Sequence, residues 1–208
     1  MASIVIHACV AKEINKTLKI KNEEQFLLGS IAPDLGKMIN IDRTITHFLK
    51  DSNKDSPIDL DKFLNKYGMH LNDPFVLGYY IHLYTDKIWE NSFLDKYISD
   101  TKIKLLNGKI IPNTDENYKK VIYEDYNNLN NILVNLYHID IDKLKESIEN
   151  SNTIISEIDS KKLSPIFELV KKKNKYKKEM NVFNLNDILN FIGETSNKFL
   201  IDSKNLIK

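Results

Sequence analysis

The stretch Phe75-Val76-Leu77-Gly78-Tyr79-Tyr80-Ile81-His82-Leu83-Tyr84-Thr85-Asp86-Lys87-Ile88-Trp89-Glu90-Asn91-Ser92-Phe93 reads as one helix. Phe75, Tyr79, His82, Asp86, Trp89 and Phe93 step by four and three, the spacing of a stripe that faces a protein interior. An imidazole and a carboxylate sit in the middle of that stripe, one turn apart. Buried charge is costly unless it is paired or binds metal. The same oddity recurs to either side. Tyr118, Ile122, Asp125, Leu129, Ile132 and Leu136 form a second stripe with Asp125 at a core position. Near the start, Ile4, His7, Ala8, Ala11, Ile14 and Leu18 form a third, which carries His7. Three helices that aim His or Asp inward point to a polar site inside a helical bundle. Metal is the simplest occupant.

The 208 residues suffice for one domain with a substantial core. Gly and Pro number only 6 and 5, and alternating strand patterns are weak. The expectation is an all-α fold, a single-domain multi-helix bundle over residues 1–208. Lys+Arg 30 against Asp+Glu 29 leaves no global push toward nucleic acid. Nearly all the basic residues are Lys. Cys9 stands alone, so an intramolecular disulfide and a Cys-based zinc site are excluded. The opening Met1 to Glu13 lacks signal-peptide architecture, and no run approaches the roughly 20 apolar residues that cross a bilayer. These readings make a cytoplasmic protein the expectation.

Ser3 caps a first helix to about Leu18, and a short helix from Glu23 to Leu28 stops near Gly29. Ser30 to Asn40 reads as a loop, with short helices around His47 and over Ile58 to Tyr67. Asn72 caps the central helix, which has Pro74 in its first turn and runs to about Tyr97. Asn107 to Asn113 is a turn. Helices follow at Asp115–Tyr137, Ile139–Glu149, Asn152–Ile158, Ser164–Lys172 and Leu185–Ile201.

His82 and Asp86 lie close enough on one helix face to share an ion. A buried His bonded to an Asp one turn away is also a common structural pair. Gly78, one turn earlier, opens space beside the imidazole. Asp34 follows Pro33, which fixes its own φ and pushes Ala32 toward extended backbone. Such a loop holds a carboxylate rigidly, although turn Asp residues often serve only their own backbone. His7 and His47 each have a plain reading, as a core and a half-buried histidine. His70 and His138 read as exposed. The Lys171 to Lys178 run reads as a solvated helix end, with weak contact to an anionic membrane surface as the alternative.

At these residues the chain resembles the zinc-dependent phospholipase C family. The matching pieces are His7 in Ser3-Ile4-Val5-Ile6-His7, Phe26-Leu27-Leu28-Gly29-Ser30-Ile31-Ala32-Pro33-Asp34, Thr46-His47-Phe48, and Gly78-Tyr79-Tyr80-Ile81-His82-Leu83-Tyr84-Thr85-Asp86. Their order and spacing agree over roughly the first ninety residues. The resemblance implies an all-α fold and hydrolysis of phosphodiesters in phospholipids or nucleic acids with up to three zinc ions. It implies that His7 binds one zinc, that Asp34, His47 and His82 bind a second, and that Asp86 bridges both. It also implies Asp34 as general base. Two departures stand out. The family's N-terminal Trp ligand is replaced by Met1 and Ala2, and no downstream His-His-Glu set exists. Those losses reduce the cage to one or two ions. The inward stripe offers Asp125 as a replacement ligand.

His and Asp ligands suit zinc, and also manganese or iron. Two such ions about 3.5–4 Å apart bind a phosphoryl group and activate water. The expected function is therefore a metal-dependent phosphoesterase acting on a small phosphoester or a phospholipid. A non-catalytic metal-binding protein is the competing reading. The lack of any His followed directly by Asp argues strongly against the helical phosphohydrolases that use an adjacent His-Asp doublet.

Overall fold

The computed structural model describes residues 1–171 and 179–207. The Lys171 to Lys178 run, read as a solvated helix end with a membrane surface as the alternative, lies outside them except for the backbone of Lys171. The fold is all-α, one compact domain with a small two-stranded hairpin. No helix among the described residues is long and apolar enough to cross a membrane.

Helix α1 (Ile4–Leu18) starts at Ser3, whose Oγ accepts the Ile6 N–H and donates to Asn130. Helix α2 (Glu23–Ile31) runs straight through Gly29. This corrects the expected stop. A Cβ at Gly29 would lie 2.0 Å from the Phe75 carbonyl oxygen, so this glycine permits a backbone contact. The expected loop after it is helical. A 3₁₀ turn covers Ala32–Leu35 with Pro33 in its first positions, and α3 (Gly36–Ile39) follows. Pro at the start of a helical turn forfeits only an N–H that would lack an intrahelical partner.

Helix α4 (Arg43–Thr46) carries His47 at its C-cap, and α5 (Leu60–Tyr67) is capped by Asp59. Helix α6 (Pro74–Ile88) is capped by Asp73, one residue later than expected. Beyond it the backbone widens into a π turn over Trp89–Phe93, then tightens over Leu94–Lys96. Trp89 stacks on Phe93 with ring centroids 4.4 Å apart, and both rings contact Phe183 and Phe191. Strands β1 (Lys102–Lys104) and β2 (Ile110–Pro112) pair antiparallel with Ile103 opposite Ile111. The turn expected over Asn107–Asn113 is confined to the hairpin tip, with Gly108 at φ 83; Ile110–Pro112 of that stretch is strand, paired with β1.

Helix α7 (Asp115–Leu136) buries Ile122, Asp125 and Leu129 as the stripe predicts. Its last turns rotate, so Leu133 is buried and Leu136 exposed. Helices α8 (Ile141–Glu146), α9 (Ile166–Lys171) and α10 (Leu185–Asp202) complete the chain. The helix expected over Asn152–Ile158 does not form. Thr153 Oγ1 accepts the Ile155 N–H, a local bond that competes with helix. Tyr67 and Lys66 then hold Ser156 and Glu157 by side-chain bonds.

Two contacts position the site. Helix α6 lies directly on α2, backbone to backbone, and a Cβ at Gly78 would sit 2.1 Å from the Phe26 carbonyl oxygen. No space opens beside the His82 imidazole at Gly78; the α2 backbone fills it. Helix α1 packs against α2, α6, α7 and α10 and brings His7 to the same place.

Candidate metal centre

Five side chains from separate segments converge: His7 from α1, Asp34 from the 3₁₀ turn, His47 from the α4 cap, and His82 and Asp86 from α6. All five are buried, none more than 2% exposed. His47 Nε2 and His82 Nε2 are 3.3 Å apart, and each lies 3.6 Å from Asp86 Oδ2. These three atoms form a triangle. Zinc bonds of about 2.0–2.1 Å in a tetrahedron put neighbouring ligand atoms about 3.4 Å apart. The triangle has the dimensions of one face of such a site. Asp34 Oδ1 is 3.9 Å from His47 Nε2. His7 Nε2 is 3.3 Å from Asp86 Oδ1, and the His7 ring stacks on His82 at 3.6 Å. The ligand atoms of His7, Asp34 and His82 form a second compact set that overlaps the first.

The surroundings set the protonation that metal binding requires. The Ser30 carbonyl, 2.8 Å from His82 Nδ1, can only accept, so Nδ1 carries the hydrogen. With Nδ1 so engaged, His82 turns Nε2 toward the triangle, the arrangement common in metal-ligating histidines. Thr46 Oγ1 lies 2.9 Å from His47 Nδ1 and orients that ring. Burial, followed by the neighbouring His82, lowers the pKa of His7 and pushes that of His47 well below its ordinary value. Burial alone would raise the Asp86 carboxyl. The adjacent His7 and the chain's amino end, helped by the close approach of the His7 and His82 ring nitrogens, outweigh it, and Asp86 titrates well below the usual range. His7 and His47, which resist protonation, beside an ionised Asp86 form a donor set ready for a divalent cation.

Asp86 Oδ1 also accepts the Ala2 N–H at 2.7 Å, whereas its Oδ2 is buried without a hydrogen-bond partner. Both histidines flanking Oδ2 stand too far away for a strong hydrogen bond. That orphaned oxygen, within the triangle, is the structural sign that these residues fit a cation.

Asp125 does not join them. Its Oδ1 accepts from the backbone and side-chain nitrogens of Asn181 at 2.7 and 3.0 Å, and its Oδ2 from the backbone of Val182 and Phe183 at 2.7 and 2.9 Å. Four donors saturate the carboxylate, so it anchors the approach to α10. The stripe on α7 correctly marks Asp125 as inward but cannot name its partner. Asp34 is buried too, at 2%, on a helical turn where the sequence reads as a loop. His70 and His138 are exposed. Sequence reading passed over Ser30, Thr46 and Ala2, which act through backbone or hydroxyl groups, and Glu90, one turn past Asp86.

Fold and site together define an all-α protein with a buried His/Asp group able to hold a metal ion. Comparison with protein-family models, with curated proteins and with solved structures finds no match.

Proposed function

We propose that this chain is a metal-dependent phosphoesterase, with zinc as the natural cation and manganese or iron as alternatives. The observation that carries the reading is the His47–His82–Asp86 triangle, flanked by His7 and Asp34. The resemblance at the same five residues supplies the reaction class. His47, His82 and Asp86 would hold one cation, and His7 and Asp34 would complete that site or share a second. A bound cation supplies Lewis acidity and lowers the pKa of water. The chain's own residues do the rest: the Ser30 carbonyl holds the His82 tautomer, Thr46 holds His47, and Asp34 takes the proton from the attacking water. A phosphodiester such as a phospholipid headgroup is the substrate class.

One observation favours a second reading. The near-complete burial of all five residues suits a structural metal centre inherited without hydrolysis. Elemental analysis of purified protein, combined with a panel of phosphomonoesters, phosphodiesters and phospholipids, separates the two. Bound metal with turnover supports the enzyme. Bound metal with no turnover under added zinc, manganese or iron moves the assignment to the structural centre.

A further inference from the structure

Arg43 is the only arginine among 30 basic side chains. A chain that uses lysine everywhere else has an arginine at one place, and that place adjoins the metal centre. Arg43 lies one turn before His47, whose backbone N–H donates to the Arg43 carbonyl at 2.9 Å. Its guanidinium reaches across to Glu90 Oε1 at 2.6 Å, and Glu90 lies one turn beyond Asp86. The pair thus joins the two segments that carry His47 and Asp86. The Arg43 side chain is 19% exposed and that of Glu90 27%. The five ligand side chains are buried, whereas this pair is part-exposed beside the segments that carry them, and the Met1 amino group also stands 3.4 Å from Glu90 Oε1.

The hydrogen-bond inventory of Arg43 is incomplete. Nε contacts Met1 Sδ at 3.1 Å, Nη1 donates to the Lys54 carbonyl at 2.9 Å, and Nη2 donates to Glu90. A guanidinium has five N–H donors in a planar fork, so one remains on each terminal nitrogen. Lysine, a point charge with three donors, cannot hold these three acceptors and still offer a two-pronged face. A fork of this kind matches the paired oxygens of a phosphate or carboxylate.

We propose that Arg43 is the anion-binding residue of the site, taking two non-bridging oxygens of a phosphoester, with Glu90 filling that place when no ligand is bound. The phosphoester identity rests on the phosphoesterase reading; the anion site itself does not. Exchange of one carboxylate for one phosphodiester leaves the charge beside Arg43 unchanged. Glu90 therefore acts as an internal competitor, and its removal strengthens binding.

The test is titration of the full-length protein, metal-free and zinc-loaded, with inorganic phosphate and dimethyl phosphate, and cosedimentation with phosphatidylglycerol vesicles. Arg43→Gln should weaken binding by about tenfold or more, and Arg43→Lys by less, the scale of a lost charge-assisted pair. Glu90→Gln should tighten binding several-fold; a purely structural ion pair would not produce that gain. Zinc stoichiometry should stay at the wild-type value in all three. Binding of dimethyl phosphate identifies a soluble diester as the source, and binding confined to vesicles identifies the lipid headgroup. Circular dichroism checks folding, and if Arg43→Gln does not fold, Arg43→Lys and Glu90→Gln decide. Equal affinity in wild type and Arg43→Gln, or no gain in Glu90→Gln, overturns the proposal. Arg43-dependent phosphate binding without any turnover retains the anion site and removes the hydrolase. Turnover with an unchanged KM in Arg43→Gln does the reverse.

Discussion

Two buried aspartates on comparable helical stripes have opposite fates. Asp86 has one oxygen without a hydrogen-bond partner beside two imidazoles, whereas Asp125 accepts four hydrogen bonds. The difference predicts separable phenotypes. His82→Ala removes one corner of the triangle and leaves Asp86 poorly compensated, so metal content and thermal stability should fall together. Asp125→Ala leaves three backbone N–H groups of residues 181–183 without their acceptor. It should cost about 3 kcal/mol or more in urea unfolding, with metal per folded molecule unchanged. Loss of zinc stoichiometry in Asp125→Ala would return this residue to the ligand set. Asp34→Asn keeps the shape and an oxygen ligand but removes the charge. Phosphodiester turnover should drop about a hundredfold, the scale for a positioned base, with a smaller metal loss than in His82→Ala. Wild-type turnover in Asp34→Asn would show that the base is another group.

Among the elements, the α2–α6 contact governs the site. Gly29 and Gly78 bring the two backbones together, and the same approach puts the Ser30 carbonyl on His82. Gly78→Ala forces a methyl group into the Phe26 carbonyl and should cost about 1–3 kcal/mol or more by overpacking. It should also weaken zinc affinity, because His82 and Asp86 ride on the displaced helix. Unchanged affinity and stability would mean that α6 slides without consequence. On α5, Tyr67 and Lys66 clamp Glu157 with bonds of 2.6 Å each. Burial raises the Glu157 carboxyl, but these two donors outweigh it and hold its pKa below the ordinary value. A depressed folded-state pKa contributes stability above the unfolded carboxylate range, which is lost as pH falls through the folded value. Glu157→Gln should therefore be about 1–2 kcal/mol less stable near neutral pH, and the gap should close in acid. A gap independent of pH would assign the effect to packing.

For the molecule as a whole, five candidate ligands from four stretches of chain would make a bound metal a cross-link between α1, α6 and the turns at Asp34 and His47. A ligand at a hundredfold excess over its Kd adds about 2.7 kcal/mol to stability. In a chain of this size that corresponds to about 5–10 °C in melting temperature. Dialysis against a chelator should lower Tm by that amount, and zinc should restore it. Helical periodicity is local, following from 3.6 residues per turn and the polarity of neighbours, and so the all-α class and the inward placement of His7, His82, Asp86 and Asp125 are legible in the residue pattern alone. The 3₁₀ turn at Asp34, the burial of that carboxylate, and the use of Gly29 and Gly78 depended on which backbones meet across the bundle. So did the choice between a ligand cluster for Asp86 and backbone amides for Asp125. A one-dimensional pattern shows that a polar side chain points inward; only the packed neighbours, dozens of residues away in sequence, decide what it finds there.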